Sequence, residues 1–394
     1  MDFNNIVITN AKRTPIGKFG GGLSSLSAVD MGVHAVAAVL AESGIDPALV
    51  DEVYMGQARQ AGSGPNPARQ VTIRAGIPDT AVATTINQAC ASGLKSIVLG
   101  AQQIQLGQAQ VVVAGGMESM SNVPHMLDRM RDGYRLGHAE VIDLMYRDGF
   151  HCPLADQLMG RTAETLREQY ELTRDEQDEF AAASHNKAEA AIKAGAFKAE
   201  ISPITIQGRK GAVQVDVDEP VREGQNTAAL AKLKPVFMDG GSVTAGNASG
   251  ITDGASALLL MTAEKAKELG LTVLARLEGF TFAGVDPKVM GIGPVPATRA
   301  LNERLGLKIE DYDLVELNEA FAAQVLACDR ELKIPRDRLN VNGGAIALGH
   351  PIGNTGARIV TTLAHAMKQR GANRGLATLC VSGGLGAALS IVRG

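Results

Sequence analysis

Over the first 120 residues the spacing of apolar and polar positions changes period several times. "NNIVITN" is a compact apolar run of strand length. From Ser27, "SAVDMGVHAVAAVLAESG" sets Val29, Val33, Val36, Ala37 and Leu40 at helical spacing and stops at Gly44, a common helix terminator. "VDEVYMG" reads as a short strand. Residues 92–106 follow with Leu94, Ile97, Val98, Ala101 and Ile104 on one helical face, ended by Gly107. "AQVVVAGG" is apolar at nearly every position, as in a strand covered on both faces. This alternation predicts a layered α/β domain.

The end of the chain repeats the scheme. "GPVPATRALNERLGL" is helical, and "YDLVELNEAFAAQ" is a strand running into a helix. A Gly-rich loop, "LNVNGGAIALGHPIGNTG", leads to a helix with Ala357, Ile359, Val360, Leu363 and Met367 as its apolar residues. "GLATLCVSGG" closes as an apolar strand. Both halves run strand, loop with a reactive residue, helix, apolar strand, double glycine, which predicts an internal duplication. The middle differs: a charged amphipathic helix, "TRDEQDEFAAASHNKAEAAIKAG", precedes short alternating strands, "EISPITI" and "AVQVDVD". It reads as an insert capping the core. The predicted domains are 1–120 with 250–271, the insert 121–249, and 272–394.

Composition narrows the class. A chain of 394 residues fits two or three domains. Its 45 glycines fall in short runs, which suits tight turns and close backbone approaches rather than a linker. A net charge of −4 gives no reason to expect nucleic acid or an anionic membrane as partner. No apolar run reaches the roughly 18 residues of a membrane helix. The N-terminus lacks a basic-then-apolar leader pattern. Cys90, Cys152, Cys328 and Cys380 are scattered without metal-ligand spacing, so no metal site is expected and free thiols in the cytoplasm are.

Cys90, in "NQACASGLKS", sits between a polar turn and a helix start. The positive end of the helix dipole there favours a thiolate. A small buried hydrophobe is an equally good reading of this stretch by itself. A nucleophile needs a base. His350, between glycines and followed by Pro351, suits a fixed, exposed loop at a sheet end. Cys380 ends an apolar strand at a symmetry-related place in the second half. Asn318, in "ELNEAF", lies where a strand meets a helix and could hold a water, orient a histidine or cap the helix.

Together, "NQACASG" at Cys90, "GGMESMS" at 115–121, "NEAF" at 318–321, "GHP" at 349–351 and the "CVSGG" from Cys380 resemble the thiolase family. The resemblance runs from "AKRTPIGKFGG" through "VTAGNASGITDGA" to the last strand. It implies duplicated α/β core domains in a layered αβαβα arrangement with an inserted loop domain. It implies that Cys90 is acylated, His350 activates it, Cys380 moves the second proton, and Asn318 holds a water. The backbone N–H groups of Cys90 and Ser382 would form an oxyanion hole. Arg222, Phe237, Ala245, Ser249, Met290, Ala320 and Phe321 would line the path of CoA. Acetyl-CoA, other acyl-CoA esters and CoA would be substrates, with no separate cofactor. "SNVPHMLDRMRDGYRLG" resembles the loop that joins dimers into a homotetramer.

Two positions depart from the family pattern. Biosynthetic acetoacetyl-CoA members usually carry His-Met before "GxTAE", where this chain has Leu158-Met159. Loss of that imidazole implies a broader or longer 3-ketoacyl range. The usual Cys-x-Gly is Cys380-Val381-Ser382 here, which raises the question of whether that position needs φ > 0. Two rivals remain in the comparison. A ketoacyl-synthase-like condensing enzyme would not need Cys380, and a non-catalytic CoA-ester binder would not need Cys90 and His350 intact.

Overall fold

The computed structural model describes residue 3 and residues 5–208 and 211–394. In chain order the elements that frame the core are β1 (Ile6–Arg13), α1 (Ala28–Ser43), β2 (Glu52–Gly56), β3 (Val82–Ile86), α2 (Ser92–Gln105) and β4 (Val111–Ser119). The insert contributes α3 (Arg174–Ala194). Then come β5 (Thr252–Thr262), β6 (Ala275–Gly284), α4 (Pro294–Leu305), β7 (Leu314–Leu317), α5 (Ala322–Leu332), α6 (Ile352–Arg370), β8 (Arg374–Val381) and β9 (Leu385–Arg393). α1 starts on a capping box of Ser27 and Asp30 and ends at Gly44.

Among the described residues these strands form one sheet in the order β7-β8-β9-β6-β1-β5-β4-β2-β3. The order is a duplication laid end to end. β2 and β4 pair parallel, as do β7 and β8. β4–β5 and β8–β9 are antiparallel, as are β5–β1 and β9–β6. The halves meet where β1 pairs with β6 through Val7–Arg276 and Ile8–Ala275.

Five layers follow from which faces are apolar. One core cluster joins Leu94, Ile97 and Val98 of α2 to Val360 and Leu363 of α6, with Leu258 and Leu260 from one half-sheet and Leu379 and Leu389 from the other. The two helices are thus sandwiched between the half-sheets. α1 covers the outer face of the first half through Val29, Met31, Val36 and Val39. α4 and α5 cover the second through Val295, Leu301, Val325 and Leu332.

The insert is tied down by charge as well as by packing. Arg13 of β1, fully buried, reaches Glu200 at 2.6 Å and both oxygens of Asp218 at 2.7 and 2.9 Å. The predicted alternating strands pair as a hairpin, Ile204–Gly208 with Gly211–Val215.

Candidate active site

α2 and α6 occupy equivalent places in the two halves, and each is preceded by a chemically capable side chain. Cys90 lies two residues before Ser92, and His350 two residues before Ile352. The helices meet backbone to backbone. A Cβ on Gly356 would collide with the main-chain nitrogen of Leu94. The duplication therefore pairs Cys90 with His350. Cys380 has a different counterpart. Gly56 faces Gly116 across β2–β4, and Leu317 faces Thr378 across β7–β8. Two residues further on stand Glu118 and Cys380. Glu118 is a buried carboxylate accepting from the N–H groups of Ala58, Arg59 and Gly353 at 3.0, 3.1 and 2.8 Å. It pins the loop after β2 to the start of α6.

A cavity of about 480 Å³ opens at this junction. Of the residues singled out in the sequence, Cys90, Leu158, Met159, Phe237, Ala245, Ser249, Met290, Ala320, Phe321, His350, Cys380 and Ser382 all line it. One flank is built by Phe237 and Phe321, edge to face at 6.0 Å, with the Ser249 N–H donating to the Ala320 carbonyl at 3.0 Å. Cys380 packs with this flank. A second flank carries Ile352 and Phe150, and Cys90 packs there.

His350 is buried (7% exposed) rather than on an exposed loop as its glycine-rich setting suggests, because the Gly349–Pro351 turn is covered by the packed sheet ends. Its main-chain N–H donates to the Gly250 carbonyl. The tautomer follows from counting protons. The Thr355 hydroxyl donates its only hydrogen to the Pro351 carbonyl at 3.0 Å, so it accepts from His350 Nδ1 at 2.6 Å. Nε2 is then an unprotonated lone pair, and it has no protein partner. Burial, reinforced by the positive charges of Arg358 and Arg59, pushes the imidazole down to about 3. His350 is a neutral base.

Two main-chain N–H groups, those of Ser382 and of Cys90 itself, are directed at the Cys90 sulfur and favour its thiolate, as does the charge of Arg59. Burial outweighs them and holds the resting thiol above its ordinary value. The lowered pKa expected from the helix start is thus overturned, because burial outweighs these N–H groups and the Arg59 charge. Burial likewise pushes Cys380 well up. The site rests as two thiols and a neutral imidazole, so a nucleophile forms only when Cys90 passes its proton on.

Asn318 is not among the residues that line the cavity; it is 1% exposed, with its backbone N–H donating to the Thr378 carbonyl at 3.0 Å. Neither its side-chain oxygen nor its nitrogen has a protein partner, so both are available to a water or a substrate. Arg222 does not line this cavity; it is exposed, and its backbone N–H donates to His185 Nδ1 at 3.1 Å. Sequence reasoning also missed Arg59, Tyr146, Phe150 and Ile352, which line the cavity. The one available signal was a lone arginine in the loop after a strand, in "GQARQAG".

Comparisons with known proteins give the family. The thiolase N-terminal domain family model matches residues 6–264, and the thiolase C-terminal domain model matches residues 271–393. The chain is 53% identical over 390 residues to the acetyl-CoA acetyltransferase of Pseudomonas aeruginosa, covering 99% of each. The crystal structure of the Bacillus anthracis acetyl-CoA acetyltransferase superposes with a TM-score of 0.97 at 49% identity, covering 100% of this chain and 99% of that one. Human mitochondrial 3-ketoacyl-CoA thiolase in complex with CoA superposes at 0.96 with 40% identity, over 100% of this chain and 99% of that one. The chain belongs to the thiolase family. It is a thiolase in function, an acyltransferase acting on CoA thioesters.

Proposed function

We propose that the protein cleaves 3-ketoacyl-CoA with CoA, and runs the reverse Claisen condensation, through an acyl group carried on Cys90. The observation that carries this is the setting of Cys90: its sulfur faces the Ser382 and Cys90 N–H groups, on one cavity with the free Nε2 of His350 and the thiol of Cys380. His350 takes the Cys90 proton as the sulfur attacks. Cys380 supplies or removes the proton at the α-carbon. The Ser382 and Cys90 N–H groups donate to the developing oxyanion of the acyl-enzyme step, and Asn318 with His350 holds a water against the thioester enolate. Preorganised donors at such a point contribute about 10²–10³ in rate each.

The Phe237–Phe321 flank, with Met159, Ala245, Ser249, Met290 and Ala320, takes the pantetheine arm. Leu158, an apolar residue in the cavity wall, supports acyl chains longer than acetoacetyl. CoA and its esters are substrates, and no separate cofactor enters the scheme. The projecting segment between Leu127 and Val141 exposes both of those residues with Met130, Tyr134 and Leu136, which supports assembly as a dimer of dimers. Four free cysteines suit a reducing cytoplasm.

Mass spectrometry after brief incubation with acetyl-CoA tests the core of this scheme. An acetyl group is expected on the peptide carrying Cys90, accumulating in a Cys380→Ala variant. A label found only on other residues overturns it.

A further inference from the structure

Arg59 follows β2 and is held at its backbone from both sides. Its N–H donates to Glu118 at 3.1 Å, and its carbonyl accepts from the Gln57 side chain at 3.1 Å. The side chain is 8% exposed and lines the cavity. There the guanidinium lies against Gly149, where a Cβ would collide with it. Among the described residues no carboxylate comes within ion-pair distance of it, and its Nε has no hydrogen-bond partner. The walls beside it are apolar, including Phe150, Leu158 and Ile352. The nearby charge of buried Glu118 offsets part of the cost of burying this arginine, but no carboxylate pairs directly with its planar fork of donors, which a carboxylate matches best. Its location says which part of a substrate it meets. Ala58, next to Arg59 in the chain, clusters with Phe150, Ile352 and Cys90, whereas Phe237 and Phe321 belong to a separate cluster with Cys380. The group attached to the Cys90 sulfur is therefore the nearer one to Arg59, and CoA the farther.

We infer that Arg59 reads a carboxylate at the far end of the acyl chain, so that 3-oxodicarboxylic acyl-CoA esters are preferred substrates of this site. This rests on the thiolase reading above. In the cleavage direction the Cys90 thiolate adds to the C3 carbonyl and the C2–C3 bond breaks. Its electron pair stays on C2, which takes the Cys380 proton and leaves as acetyl-CoA. An ω-carboxyacyl thioester remains on Cys90 with its carboxylate on Arg59. Incoming CoA gives its proton to Cys380 and its sulfur to the acyl carbon. That step releases a dicarboxylic acyl-CoA, and Cys90 recovers its proton from His350.

Two pairs of substrates of equal length test this: 3-oxohexanedioyl-CoA against 3-oxohexanoyl-CoA, and the eight-carbon pair. The wild-type kcat/KM ratio of acid to neutral substrate is expected to exceed about 10 at one or both lengths, because a site built to pair a charge discriminates strongly against its absence. Arg59→Met is expected to lower that ratio about 10²-fold, and Arg59→Lys to lower it less. A wild-type preference for the neutral ester at both lengths overturns the inference. So does an equal fall on acid and neutral esters in Arg59→Met, which would assign Arg59 to Cys90 ionisation instead. Acetoacetyl-CoA cleavage by the wild type is run alongside. Its absence would count against the thiolase reading itself, while its presence with no acid preference counts only against Arg59 as a carboxylate reader.

Discussion

Ala89, immediately before the nucleophile, holds φ at 45°, a left-handed conformation that costs a non-glycine residue on the order of 1 kcal/mol or more. Local side chains hold it there. Asn87 Oδ1 accepts from the Ala89 N–H at 3.0 Å, and the Ser92 hydroxyl accepts from Gln88 N–H while donating to the Ala89 carbonyl. The turn lifts Cys90 out of the helix and aims it into the cavity. The facing turn answers the question posed by Ser382. Gly383 and Gly384 take φ of 89° and 88°, while Ser382 is not left-handed, so a serine serves there without strain. A Cβ on Gly384 would collide with the Val285 carbonyl. Gly384→Ala is accordingly expected to displace the Ser382 N–H and lower kcat by about 10² or more. Steady-state cleavage of acetoacetyl-CoA measures it, and an unchanged kcat would show that the donor tolerates a moved turn.

At the scale of elements, the contact between α2 and α6 sets the site. With no side chain at Gly356 the first turns of the two helices touch, which brings residues 90 and 350 to one cavity. Gly356→Ala forces backbone against backbone and is expected to cost about 1–3 kcal/mol, read as a lowered urea midpoint, with activity falling further than stability. Equal midpoints for variant and wild type would mean the helices can separate without loss. These elements were largely legible beforehand, because helices such as α1 and α2 carry a 3.6-residue apolar stripe and β4 a continuous apolar run. Cys90, His350 and Cys380 were legible as motif residues. Other features depend on what meets in space. His350 looked exposed because glycine and proline usually mark surface turns, and only the packed sheet ends bury it. Arg59 gains its meaning from the partner it lacks, which no local pattern encodes.

For the whole molecule, pH dependence follows from its buried histidines. Burial pushes His350 to about 3, and burial with the Arg222 charge pushes His185 to about 4, against an ordinary 6.5. Below pH 6.5 the unfolded chain takes up protons that the fold refuses. Stability is then lost as pH falls through 6.5 towards 4, approaching about 1.4 kcal/mol per pH unit for each histidine. Glu316, which burial pushes up to about 8, acts in the opposite sense between pH 8 and 4.5. The readout is therefore a difference. His350→Asn and His185→Asn are each expected to flatten the loss of urea midpoint between pH 7 and 5 relative to wild type. Parallel curves for all three proteins would remove these histidines as the cause.

The division of Cys90 and His350 between the two halves has a consequence for how the enzyme is made. A ribosome delivers the chain from its N-terminus, so the thiol emerges long before the imidazole that must accept its proton. Until residues beyond 350 have been translated and α6 has docked on α2, the emerging fragment carries a sulfur without a base. Chemistry that needs both groups is thus open only to a chain that already includes α6.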